Sequence, residues 1–467
     1  MSLSTASPEI EALQQKVAEV LAATPATDMH THLFGPHFGD RMLWGVDELM
    51  AYHYIQAEAL RYEPAPAVPL RQKAGAAPLR HEPGRAEPSE KLFGRFFAMS
   101  KAEQAEAAFD RLFVQRSPVS ESARGVVATL HALGADTAVR DLDSWRQIYQ
   151  EHTPQSLTDK VFQVANVREA VMTNDPFDPS ETCHWEAIGA DRRFLAALRL
   201  DGLLMAFYQN VPKLQAMGYA VTPELTPATI AAVQSFLRDS CRRIQPLYMA
   251  VSLPPNFDWP NGKSAGGNGA KGNGAGSTGF DGGACPDSPT YQLMQTCVLP
   301  VCAELGLPLA LMVGVRRAVN PAMHMAGDGM GTCDVLAIER LCAAYPGQKF
   351  LVTVLARENQ HALCVAARKF KNLFVFGCWW FCNNQSLVIE ITKMRLEMLG
   401  FSFLPQHSDC RVTEQLIYKW KQSRAAIAVA LTEKYAELAR GGWQVTEDDM
   451  RRDAKQLLGG AFWDFIR

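Results

Sequence analysis

A chain of 467 residues exceeds one ordinary core, so it forms either one large barrel carrying an insertion or two to three domains. With 48% hydrophobic and 20% charged residues and a net charge of −3, it reads as a soluble globular protein with no electrostatic footprint for nucleic acid. No run approaches the roughly 18 apolar residues of a transmembrane helix, and the N-terminus carries neither a basic stretch nor an apolar signal region. Eleven cysteines without C-x-x-C spacing, several inside apolar runs (Cys364, Cys378), read as reduced, mostly core thiols of a cytosolic protein.

Taken in order, residues 8–22 form an amphipathic helix. Ser7 caps it, Pro8 opens it, and Ile10, Leu13, Val17, Val20 and Leu21 make its apolar stripe. A short buried strand, Thr27-Asp28-Met29, follows and runs into His30-Thr31-His32. Residues 43–62 read as one helix with Leu49, Tyr52, His53, Gln56 and Leu60 near one face. His53 and Tyr54 point about 100° apart on it and by themselves are packing residues. Residues 63–90 hold six prolines and no periodicity, which predicts a loop or flap. Helical patterning then runs to about Phe162.

Beyond it, apolar runs at Ala170–Thr173, Phe194–Leu200, Leu247–Leu253, Leu309–Val315, Phe350–Leu355, Leu373–Phe381 and Phe401–Pro405 alternate with helical patterns. With the strand before His30 they make eight. This predicts an α/β fold, a (β/α)8 TIM-type barrel with a helical excursion domain inserted after strand 1. The expected division is 1–42 (N-terminal helix and strand 1), 43–162 (helical insertion) and 163–467 (the remaining barrel). Helices Thr413–Arg440 and Thr446–Leu458 cover the end. A flexible glycine-rich loop at 254–288 carries ten glycines between Asn261 and Gly283. Its Gly267-Asn268-Gly269-Ala270-Lys271-Gly272 matches GxGxxG inside a low-complexity run that opens no apolar helix. Gly262-Lys263-Ser264 matches a P-loop tail, with Phe257 where the first Gly belongs. Neither is a phosphate cradle.

Alternation along a strand sends His30 and His32 to the same side, so their ring nitrogens can converge on one metal. Among 11 histidines such a pair also arises by coincidence. Function in these barrels sits at the C-terminal strand ends. Strand eight neighbours strand one there and ends Gln406-His407-Ser408-Asp409-Cys410-Arg411. Asp409 can therefore complete a two-histidine, one-carboxylate shell of the catalytic zinc type, or it caps the next helix. Arg411 either faces the same cavity, favouring an anionic ligand, or is a surface charge.

Together these pieces resemble the uronate isomerase family of the amidohydrolase superfamily. Asp28-Met29-His30-Thr31-His32-Leu33 resembles its Asp-x-His-x-His-Leu, and His53-Tyr54 its His-Tyr pair. Thr173-Asn174-Asp175-Pro176 is similar to Thr-Asp-Asp-Pro, with Asn174 for the first Asp. The run Phe194 to Asp201 is similar to Phe-x-Pro-x-Arg-Pro-Asp without the prolines. Gly377-Cys378-Trp379-Trp380-Phe381-Cys382-Asn383 is similar to Gly-x-x-Trp-Trp-Phe-Asn, and Ser408-Asp409-Cys410-Arg411 to Thr-Asp-Ser-Arg. The glycine-rich insertion is foreign to the family, and Met312 stands where the family usually has a histidine after strand five. The absence of a bridging lysine on strand four agrees with its mononuclear pattern.

The resemblance implies an aldose–ketose isomerase, an intramolecular oxidoreductase by reaction type. It would interconvert D-glucuronate and D-fructuronate, with D-galacturonate and D-tagaturonate as a second pair it admits. One Zn2+ or another divalent metal per chain would be held by His30, His32 and Asp409. Tyr54 and Asp409, or water on the metal, would move protons, and His53 and Arg411 would orient substrate oxygens. Arg199 would take the carboxylate, while Trp379 and Trp380 would wall the cavity. The substrate is a small-molecule uronate, with no nucleic acid and no membrane partner, and a homo-oligomer is compatible. Two alternatives stay open: a mononuclear hydrolase or deaminase on the same barrel, and a non-catalytic relative, which Met312 makes plausible.

Overall fold

The computed structural model describes residues 8–62, 89–260 and 288–467. Ser7, most of the proline-rich stretch and most of the glycine-rich loop lie outside the described residues. Eight parallel strands form one sheet in chain order: β1 Ala26–Thr31, β2 Val167–Asn174, β3 Phe194–Arg199, β4 Met249–Leu253, β5 Leu309–Val313, β6 Phe350–Val354, β7 Leu373–Phe376 and β8 Phe403–Leu404. All five residues of β5 and of β6 are buried, as expected of parallel strands covered on both faces. The ring closes through the segment after β8. Asp409 N–H donates to His30 O at 3.2 Å, and His32 N–H donates to Cys410 O at 2.7 Å. Asp28, fully buried, ties the same seam. It accepts from Ser408 N–H at 3.0 Å and from Trp420 Nε1 at 2.9 Å.

Several strands are shorter than their apolar runs. β5 stops at Val313 because Gly314 turns at φ 122°, and Val315–Arg316 then pairs antiparallel with Gly329–Met330. β7 stops at Phe376, before Gly377 at φ 66°. The helix expected over 43–62 is two, Val46–Met50 and His53–Ala59, broken at extended Tyr52. His53 therefore opens a helix of its own. Asp409 caps nothing, since the following helix runs Gln415–Arg440 with Glu414 at its start.

One apolar cluster fills the barrel, including Met29, Val171, Tyr248, Met312, Phe374 and Phe376. Phe462, from the final helix Ala461–Ile466, belongs to this cluster and packs edge-on to Tyr248 at 6.3 Å. A second cluster joins barrel and helices. It includes Val46, Leu49, Trp145, Leu416 and Trp420, so the helices after β1 and the long C-terminal helix share one core. No helix among the described residues is long and apolar enough to cross a membrane.

Candidate active site

The last residues of β1 and the turn after β8 bring three ligand groups together. His30 Nε2 lies 3.8 Å and His32 Nε2 3.3 Å from Asp409 Oδ1. The ligand atoms of all three residues lie within 4.8 Å of one another. Asp409 reaches inward because its backbone adopts φ 54°, a left-handed conformation that aspartate tolerates better than most residues.

Both histidines are held as neutral ligands. Burial lowers His30 to about 3, with His32 adding to the shift, and burial with the Arg411 charge keeps His32 well below its usual range. The hydrogen bonds set the tautomers. The single hydroxyl proton of Thr173 goes to Thr31 O at 2.9 Å, so His32 Nδ1, 2.8 Å from the same oxygen, carries the donor hydrogen. The Tyr248 hydroxyl donates to Met29 O, leaving its oxygen 3.5 Å from His30 Nδ1 as an acceptor. Each imidazole then presents an Nε2 lone pair towards Asp409, the form that ligates a metal. Asp409 Oδ1 is buried and accepts no hydrogen bond. Such an oxygen between two lone pairs is electrostatically incomplete without a cation. The group fits a metal ion.

Around it the cavity is lined by His53, Thr173, Arg199, Asp201, Met312, Arg317, Trp379, Trp380 and Arg411, among others. His53 is kept neutral by burial and by the Arg411 charge, and its Nδ1 has no partner among the described residues. Trp380 sits at φ 45°, unusual for so large a residue, with its ring edge-on to His53 at 6.0 Å. Tyr54 is the expected residue that the cavity wall leaves out. It packs edge-on to His53 at 4.5 Å, with Lys419 Nζ 5.8 Å from its ring. Burial and the neighbouring Tyr52 and Asp409 push its phenol well above the usual range.

Arg199 reaches the cavity already paired to Asp201 at 3.2 Å. Arg317 bonds Asp328 at 2.6 Å and lies 3.9 Å from Asp201. Arg199, Asp201, Ser252, Arg317 and Arg411 line both the deep cavity and a wider vestibule outside it. They form a cationic neck. Sequence reasoning missed Arg317, whose only signal was the doubled Arg316-Arg317 after β5. It also passed over Thr173 and Asp201, which stood inside quoted motifs without a role.

No protein-family model matches the chain, and neither does any curated protein. Among solved structures it is similar to a uronate isomerase of Bacillus halodurans C-125, at 43% identity with a TM-score of 0.84, over 98% of this chain and 96% of that one. A uronate isomerase of Thermotoga maritima (14% identity, TM-score 0.65, 98% and 97% covered) and a glucuronate isomerase of Caulobacter crescentus (14%, 0.70, 99% and 95%) share the fold. Identity at the level of the first, held across nearly the full length of both chains, places this chain in the uronate isomerase family.

Proposed function

We propose that this chain is a uronate isomerase that interconverts D-glucuronate and D-fructuronate, and also takes D-galacturonate to D-tagaturonate, with one zinc ion per chain. The observation that carries the reading is the convergence of His30, His32 and Asp409 beneath a neck of three arginines. The deep cavity and the wider vestibule share the residues of the neck, so a six-carbon open-chain acid would extend from the metal group outwards through it.

That places C1 and C2 near Asp409 and the carboxylate among Arg199, Arg317 and Arg411. Arg199 is charge-matched by Asp201, so Arg317 and Arg411 supply much of the attraction for the substrate anion. Bound zinc supplies Lewis acidity to a substrate oxygen. In this reading Asp409 takes the proton that moves between C2 and C1. His53, neutral and with a free Nδ1, orients a substrate hydroxyl. Trp379 and Trp380 keep water from the reacting carbons. Tyr54, behind His53, acts through that ring. The described cysteines are free thiols, which suits the reducing cytoplasm.

The test is to measure bound zinc and follow fructuronate appearing from glucuronate by mass and by its ketose signature. Turnover to a product of the same mass as the substrate is expected. No turnover of any common uronate by the zinc-loaded protein sinks the proposal, and a cleaved product that has gained the elements of water identifies a hydrolase instead.

A further inference from the structure

Behind the histidines, β2 ends in Thr173-Asn174, and the turn that follows is tied to one buried carboxylate. Glu181, on the short helix Pro179–Thr182, is 1% exposed. Its Oε1 accepts from Asn174 Nδ2 at 2.9 Å, from Asp175 N–H at 3.1 Å and from Trp185 Nε1 at 3.1 Å. Its Oε2 lies 3.0 Å from the same Asp175 N–H. No salt bridge to Glu181 forms among the described residues. Burying a carboxylate without a counter-ion is costly even with three donors. Burial pushes its pKa up to about 7, and the Asp175 charge adds to the shift.

What this grip holds is the residue next door. Neighbours on a strand face opposite sides. Asn174 turns outward to Glu181, while Thr173 turns inward, its Oγ1 2.8 Å from His32 Nδ1. Fixing Asn174 and the Asp175 amide therefore fixes the rotation of the strand end that presents Thr173. Nothing else in the turn does this for the side chain of Asn174, whose Oδ1 has no hydrogen-bond partner among the described residues.

We propose that Glu181 is a positioning residue whose hold on Asn174 and Asp175 keeps Thr173 against His32 and so orients that imidazole for the metal. This rests on the metal reading given above. The pair is matched donor to acceptor, and that match can be inverted. Asn174→Asp sets carboxylate against carboxylate. Adding Glu181→Gln lets the introduced amide, in the place of Oε1, donate to the introduced carboxylate, while its oxygen, in the place of Oε2, still accepts from Asp175 N–H and the Trp185 bond is given up.

The experiment titrates zinc alone against a chromophoric chelator at pH 8, with melting temperature as the check on folding. Asn174→Asp is expected to weaken zinc binding about tenfold, as for other groups that orient a metal ligand, and the double variant to recover to within about threefold. Unchanged zinc affinity in Asn174→Asp, or no recovery in a folded double variant, overturns the proposal. If Asn174→Asp does not fold, Glu181→Leu alone decides. It withdraws the acceptor from all three donors, so about tenfold weaker zinc is expected, and native affinity in the folded variant overturns the proposal. Because zinc is read without substrate, a wild type that binds zinc but isomerises no uronate sinks the functional reading alone. An active wild type whose variants bind zinc normally sinks only the positioning role.

Discussion

Asp409 does three things at once. Its carboxylate faces two imidazoles, its N–H closes the barrel onto His30, and its backbone takes φ 54°. Asparagine tolerates that backbone as well as aspartate does, so Asp409→Asn removes the charge without disturbing the turn. Zinc affinity is expected to fall by roughly 100-fold or more, with turnover lost alongside it, while the melting curve stays near that of wild type. Metal titration and calorimetry on the same sample check this. Met312 stands where the resemblance implied a histidine. It sits in register between Ser252 and Thr353 in the barrel interior, lines the cavity and is 2% exposed. Among the described residues, two histidines and an aspartate thus make up the group that could hold a metal, without a contribution from β5.

At the scale of elements, two contacts decide whether the strand ends and helix ends can form. Gly377 ends β7 at φ 66°, and a Cβ there would lie 1.8 Å from His407 Nδ1. His407 is itself fully buried and edge-on to His30 at 5.3 Å. Gly377→Ala is expected to cost about 3 kcal/mol in urea unfolding, from the backbone strain and the overlap together. Arg424, on the helix Gln415–Arg440, donates to Leu21 O at 3.0 Å, Thr24 O at 3.1 Å, Ala165 O at 2.7 Å and Asn166 O at 2.7 Å. One guanidinium so satisfies the C-terminal carbonyls of helices Pro8–Ala23 and Pro154–Ala165, just where the chain enters β1 and β2. Arg424→Met takes this donor from all four, although Leu21 O keeps Thr24 N–H at 3.3 Å and Asn166 O keeps Ala26 N–H at 3.0 Å, and it is expected to lower stability by about 3 kcal/mol, read in the same assay.

At the scale of the whole molecule, two acids, Glu414 buried and Glu121 partly exposed, link the helices after β1 to the long C-terminal helix. Glu414 accepts from Gly45 N–H at 2.6 Å, and Lys419 pairs with Glu121 at 2.6 Å. Burial raises Glu414 from 4.5 to about 7. Its folded pKa lies above its unfolded one, so the folded state holds the extra proton between them. The stability this contributes is complete below pH 4.5 and is lost as pH rises through about 7. Glu414→Gln keeps the acceptor for Gly45 and cannot ionise. The variant is expected to melt roughly 2 °C above wild type at pH 8 and close to it at pH 5, by calorimetry. A gain of equal size at both values would show that burial of the charge is not the cause.

Much of this was legible in the residues alone. Eight apolar runs separated by helical periods imply a barrel, because strands buried on both faces can carry little else. His30-Thr31-His32 and Asp409 point to a group that could hold a metal, through spacing and through the adjacency of first and last strands. What remained hidden depends on distant parts of the chain meeting. That Asp409 faces the histidines rather than capping a helix follows from the seam with β1. That Tyr54 stands behind His53 follows from a helix break at Tyr52 that no periodicity marks. The pairing of Arg199 with Asp201, the arrival of Arg317 at the neck and the hold of Glu181 on Asn174 are likewise contacts between elements. The sequence by itself determined the barrel and the metal-binding residue types, because these follow from local pattern and chain order. Only the tertiary structure decided which charges are already matched and which ring nitrogens carry protons, because burial and partners across the fold set both.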